Sequence, residues 1–206
     1  MTRNSAATRE NLLDAAIAEF SAYGLAGGRV DRIALEAGAN KRAIYDYYGD
    51  KQALFEAAVQ HVAQALIAAV PLDATDLAGY AGALFDYLMR HPETSRLIGW
   101  RRLERPEAAP RLAERCFGQI DAIGGAPSDG GLIGPVDLVI LVIGLANAWD
   151  LTGADLVTAD GSDYRDPDRI ARHRQAVSRS NPNSYRPVVS CAGSACTLLC
   201  LVEYVK

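Results

Sequence analysis

Cysteine is scarce in this chain and poorly placed for chemistry. Cys116 stands alone, Cys191, Cys196 and Cys200 crowd the last residues, and the last histidine, His173, lies well before them. Zinc ligands usually come as two closely spaced pairs. The second pair is missing, so no metal is expected. Charge of one sign is lacking too: 21 Lys and Arg stand against 25 Asp and Glu, a formal net charge of −4. A chain that coats nucleic acid without regard to sequence would be strongly basic. Any nucleic-acid contact must therefore come from a local patch. The longest apolar run, near 136–149, is interrupted by Asp137 and falls short of the ~20 residues of a membrane helix. No charged segment followed by an apolar run opens the chain as a signal peptide would. These absences predict a soluble, cytoplasmic protein with no membrane partner.

Catalytic equipment is equally thin. No Ser-His-Asp spacing is present. The glycine-rich stretch 124–134 has no GK[ST] and no strand before it, so it does not fit a phosphate-binding loop. The acidic stretch 158–168 lacks the DxDxDG order of a calcium loop. Neither enzyme nor cofactor is expected.

What the chain does have is helical periodicity. Half of its 206 residues are hydrophobic, enough for a sizeable core. Leu12, Leu13, Ala16, Ile17 and Phe20 mark one face of a helix over 5–23. Gly24 is suited to the left-handed position that ends it. A short helix follows over 30–37, stopped by Gly38. Asn40 is placed to cap a third over 41–48, ended by Gly49, and Asp50 to cap a fourth from Lys51 to about Ala69. Further helices are predicted near 74–90, 93–104, 108–123, 135–151 and 167–177, with prolines at starts or in linkers. The fold class is all-α. From Ser178 onward serine, proline and cysteine replace alanine, arginine and leucine. The stretch 178–206 reads as an atypical tail, either simply variable or the product of a shifted coding frame.

The informative unit is 30–48, two short helices joined by a glycine-containing turn. That is helix-turn-helix geometry, whose second helix enters the DNA major groove. At about 100° per residue, Ile44 and Tyr48 share the inward face. Lys41, Arg42, Tyr45, Asp46 and Tyr47 are left for solvent or DNA. Cations neutralise phosphate, and arginine can donate to guanine edges. Lys51 opens the next helix, where unpaired N–H groups also favour phosphate. Asp46 repels phosphate, and it is expected to pair with Arg42 one turn back.

The run AAIAEFSAYGLAGGRVDRIALEAGANKRAIYDYYGDKQALFEAAV closely resembles the DNA-binding domain of the TetR family. AAxxxF, the aromatic-Gly pair, VDRIAxxAG, NKRAIYDYY and GDKxAL all match, over about residues 6–66. The resemblance implies a helix-turn-helix domain over 6–66 and a helical ligand-binding and dimerisation bundle over 70–177. It implies recognition by Lys41, Arg42, Tyr45 and Tyr47, with Lys51 on phosphate. Arg29 and Val30, at the start of the second helix, complete the expected DNA-facing set. Two departures are visible. Gly28-Arg29 stands where the family often has threonine or serine, so a side-chain cap is lost. Ala39 replaces the commoner β-branched residue of the turn. HPETSRLIGWRRLE resembles the helices under the family's ligand pocket, and the helix over 135–151 would pair across a dimer.

The expected partners are therefore double-stranded operator DNA, a small-molecule effector and a second copy of the chain. The expected output is a ligand-released repressor. Tyr87, Trp100 and Asn147 are the candidate effector contacts, with core packing as the ordinary alternative for the aromatics. Arg101 and Arg102 are expected to be solvated or paired with Glu104 or Glu107. Two rivals stand beside this: an uncharacterised enzyme, and a helical interaction module that never touches DNA.

Overall fold

The computed structural model of the chain describes residues 2–73, 75–107 and 135–179. Among the described residues every regular element is a helix: α1 (Thr2–Gly27), α2 (Val30–Glu36), α3 (Lys41–Tyr48), α4 (Lys51–Ala69), α5 (Leu77–Arg90), α6 (Pro92–Glu104), α7 (Pro135–Leu151), α8 (Ala154–Val157) and α9 (Pro167–Ser178). None of these is long and apolar enough to cross a membrane. The helix expected over 108–123, the stretch 124–134, all four cysteines and the chain from residue 180 lie outside the described residues.

Local chemistry sets the helix ends. Asn40 accepts from the Arg42 N–H at 2.9 Å, and Asp50 from the Ala53 N–H at 2.7 Å. Each is worth about 1 kcal/mol against alanine. α5 starts at Leu77 rather than near 74, because the Asp76 carboxylate caps it through the Gly79 N–H at 2.7 Å. The four-residue α8 has too little periodicity to be foreseen. α1 runs past its expected end but breaks at Gly24, whose φ of 68° and ψ of −176° are non-helical. That backbone region is open essentially to glycine alone. A Cβ there would also sit 2.9 Å from the Trp100 ring. Gly28 is required for a different reason: a Cβ would come within 2.5 Å of the Phe20 ring.

Two compact units result. α1 to α4, α5 from Asp86 onward, and α6 make the first; α5 up to Phe85 joins α7, α8 and α9 in the second. The first is built on Leu12, Ala16 and Phe20 of α1, Ile33 and Ala34 of α2, Ile44 of α3, Leu54, Phe55, Ala58, Val59 and Val62 of α4, and Leu97 of α6. Phe20 and Phe55 meet edge to face at 5.2 Å. Each fully buried side chain of this size contributes about 1.5–3 kcal/mol. α6 packs on α1 and α4, so this unit extends well beyond residue 66.

In the second unit Ala81, Leu84, Phe85, Val139, Ala146, Val157 and Val177 are buried. The His173 ring lies 5.4 Å from Phe85 and 4.8 Å from Trp149. α7 leaves apolar side chains outside: Val136, Ile140, Leu141, Ile143, Leu145 and Leu151 are all exposed.

Candidate nucleic-acid interface

The short α3 divides its residues between core and solvent as its spacing demands. Ile44 is fully buried. Tyr48 is half-buried, and its hydroxyl donates to the Arg9 carbonyl at 2.9 Å. Burial pushes its phenol pKa above the usual tyrosine value. Arg42, Tyr45 and Asp46 are exposed on the side turned away from Ile44, Lys41 is exposed at the helix start and Tyr47 is exposed on the flank. Gly38 (φ 60°) and Gly49 (φ 88°) close the turns at either end. A rod of eight residues thus stands clear of the core on one side, with two cations and two tyrosines.

The cations are not unopposed. Lys41 Nζ lies 2.8 Å from Asp31 of α2, and the hydrogen bond to that carboxylate raises the lysine pKa. Arg42 Nε lies 3.8 Å from Asp46, the expected pairing one turn apart. Both pairs are solvent-exposed, so each is weak and screened by salt. A DNA phosphate or base edge can displace them. Lys51 stands at the start of α4, with Nζ 3.3 Å from the Ala26 carbonyl.

The start of α2 has no side-chain cap and is anchored to α1 instead. Arg29 is extended (φ −122°, ψ 117°) and its side chain caps nothing. Instead its N–H donates to Glu19 Oε1 at 2.7 Å. The same carboxylate receives Arg32 Nε at 2.8 Å and Nη2 at 2.5 Å. Burial pushes the Glu19 pKa up, but the hydrogen bonds from Arg32 and Arg29 outweigh it and leave it lowered. Arg29 itself is exposed beside the rod's partner helix, whereas Val30 is half-buried against the core.

The candidate effector residues belong to different units. Tyr87 is buried in the first unit, its ring 4.4 Å from His91. Trp100, also in the first unit, donates its indole N–H to the Ser21 carbonyl at 3.3 Å and packs on the core. Asn147 belongs to the second unit, and its amide donates to the Ile143 carbonyl at 2.7 Å. Arg101 pairs with Glu56 of α4 at 3.3 Å, not with Glu104 or Glu107. Glu104 is engaged elsewhere, accepting from the N–H groups of Leu25 and Ala26 at 2.5 and 3.0 Å.

Glu19, Asp31, Arg32, Glu56 and Glu104 are structural contributors that sequence reasoning missed. Their partners lie on other helices, and no short motif marks them.

Comparison with known proteins agrees with this geometry. Residues 12–58 match the family model for bacterial regulatory proteins of the tetR family, and 76–179 match that of a tetracyclin repressor-like C-terminal domain. The chain is 44% identical over 114 residues to the HTH-type transcriptional repressor SCO4008 of Streptomyces coelicolor, a match covering 55% of this chain and 59% of that protein. It is 35% identical over 105 residues to the HTH-type transcriptional repressor NicS of Pseudomonas putida, covering 48% and 50%. The matched stretch is thus under two thirds of either relative. The crystal structure of SCO4942 from Streptomyces coelicolor superposes with a TM-score of 0.69 at 36% identity, covering 82% of this chain and 96% of that one. A TetR family transcription regulator from Marinobacter aquaeolei VT8 shares the fold, with a TM-score of 0.59 at 21% identity and 86% and 97% covered. With 12–58 matched by the tetR-family model and 76–179, half of the chain, by the tetracyclin repressor-like one, the chain belongs to the TetR family of bacterial regulatory proteins.

Proposed function

We propose that this protein is a cytoplasmic transcriptional repressor that binds a palindromic operator as a homodimer and is released by a small-molecule effector. The observation that carries the proposal is α3: a short helix packed through buried Ile44, with Arg42 and Tyr45 exposed on the side away from it, Lys41 exposed at its start and Tyr47 exposed on its flank. A major groove is wide enough to admit one helix. In it, Arg42 would donate to a guanine edge, and Tyr45 and Tyr47 would pack on thymine methyls or donate to phosphate. Lys41, Arg29 and Lys51 would neutralise phosphates on either side. Val30, half-buried at the start of α2, would seat that helix and complete the DNA-facing set with the surface it leaves exposed.

Residues 6–66 would form the reading head, and 70–177 the effector-binding and dimerisation part. Dimerisation is supported by the apolar residues that α7 leaves exposed, Ile140 and Leu141 foremost at 59% and 56%. A second copy would cover them. Two heads would then read half-sites about 34–36 Å apart, one helical turn of DNA. An effector among the helices of 70–150, contacting Tyr87, Trp100 or Asn147, would prefer a conformation with wrongly spaced heads. Its differential affinity for that conformation sets how far DNA binding falls. That the relatives SCO4008 and NicS are named repressors favours repression as the output.

Selection of bound fragments from random duplex DNA tests the proposal. A two-fold symmetric consensus is expected, protected as a single footprint. Recovery of fragments with no shared sequence contradicts it.

A further inference from the structure

The break in α1 creates two backbone amides that need a partner and receive one from a distant helix. Just past Gly24, the N–H groups of Leu25 and Ala26 both donate to the Glu104 carboxylate, at 2.5 and 3.0 Å. A carboxylate on consecutive amides is a charge-assisted contact, stronger than a neutral hydrogen bond. One turn earlier on α6, Trp100 donates to the Ser21 carbonyl at 3.3 Å, on the other side of the break. α6 therefore holds both edges of the break at Gly24. Ala26 carries the contact onward, because its carbonyl accepts from Lys51 Nζ at 3.3 Å.

On these contacts, and resting on the DNA-binding reading proposed above, we infer that Glu104 is a positioning residue for the phosphate contact of Lys51. Lys51 has a flexible four-carbon stem, and its ammonium is a point charge with no preferred fork geometry. Left alone, it would sample many directions at the start of α4. The Ala26 carbonyl gives it one, and Glu104 fixes where that carbonyl sits. Glu104 itself touches no DNA. Its effect on binding runs through the backbone of Leu25 and Ala26.

The test uses the full chain and a short duplex of random sequence, with affinity measured across a range of salt. Each phosphate neutralised adds about 0.9 to the slope of log affinity against log salt. Lys51→Ala is expected to flatten the slope by about one. Glu104→Ala is expected to flatten it equally and to weaken binding several-fold at a given salt. The double variant should fall no further than Lys51→Ala alone. Thermal melting reports folding, and if Glu104→Ala does not fold, Glu104→Gln, which keeps one acceptor oxygen, is read in the same cycle with a smaller expected change. A folded Glu104 variant with the unaltered slope overturns the inference, and so does a double variant whose losses add. Those results leave the DNA-binding reading intact if the parent chain and Lys51→Ala behave as expected. A parent chain with no salt-dependent duplex binding overturns both.

Discussion

The guanidinium of Arg42 lies 3.8 Å from the carboxylate of Asp46, one turn further along α3. Both are exposed, and both lie on the side of the helix turned away from Ile44. The pair holds the most prominent cation of the rod along its own helix axis. Asp31 holds Lys41 from the neighbouring helix α2 at 2.8 Å. Each of the two cations of α3 is therefore met by a carboxylate that DNA would have to replace.

Removing that balance should cost specificity. Asp46→Asn is expected to strengthen binding to random duplex DNA while leaving binding to the selected operator unchanged or weaker. Competition between the two duplexes measures the ratio. An unchanged ratio would show that Asp46 plays no part in discrimination.

Arg42→Ala and Tyr45→Ala should each weaken operator binding by about 1–3 kcal/mol, the worth of a good base contact. Both side chains are exposed, so stability should change by about 0.5 kcal/mol or less. Titration of labelled operator, with thermal melting in parallel, separates the two effects. A helical interaction module that never touches DNA requires both substitutions to be silent.

Gly24→Ala should destabilise the first unit by more than about 1 kcal/mol, since alanine at positive φ costs more than its entropy gain returns. The new Cβ also meets the Trp100 ring at 2.9 Å. Denaturant unfolding checks this. Gly38→Ala is the comparison: φ is 60° there, but a Cβ meets nothing within 4 Å, so it should cost less.

His173 predicts an acid sensitivity. Burial, and then the nearby charge of Arg169, hold its pKa below the usual value of 6.5. Its folded-state pKa is therefore lower than its unfolded one, and the unfolded chain binds the extra proton first. Stability rises with pH in such a window. It is fully present above about pH 6.5 and is lost as pH falls through the depressed value. His173→Phe keeps a ring between Phe85 and Trp149 and should flatten stability against pH on that acid side. An unflattened curve would assign the acid loss to other groups.

Much of the architecture was legible in the chain because it is local. Asn40 and Asp50 cap the helices they precede, Gly38 and Gly49 take positive φ at helix ends, and Ile44 is buried opposite Arg42 and Tyr45. The Arg42–Asp46 pair was legible for the same reason, since residues four apart on a helix face each other. Contacts between helices were not. Glu19 meets Arg29 across 10 residues of sequence, and Glu104 meets Ala26 across 78. Periodicity says which face is buried, not which charged group lies over it. Arg101 illustrates the consequence. Solvation, or pairing with its neighbours Glu104 or Glu107, was the expectation, yet packing of α6 on α4 brings it to Glu56, and Glu104 serves the broken end of α1. The effector contacts were the least legible, because an aromatic such as Trp100, which packs on the core, follows the same spacing whether or not it also meets a ligand.

The most direct test of the account is a quantitative one on α3 itself: affinity of the parent chain and of Arg42→Ala for the duplex enriched from a random pool, each compared with a scrambled duplex at the same salt. The account predicts that the parent chain prefers the enriched duplex by a large factor and that Arg42→Ala loses most of that preference while melting normally. Equal affinity of the parent chain for both duplexes, or a preference untouched by Arg42→Ala, would contradict it.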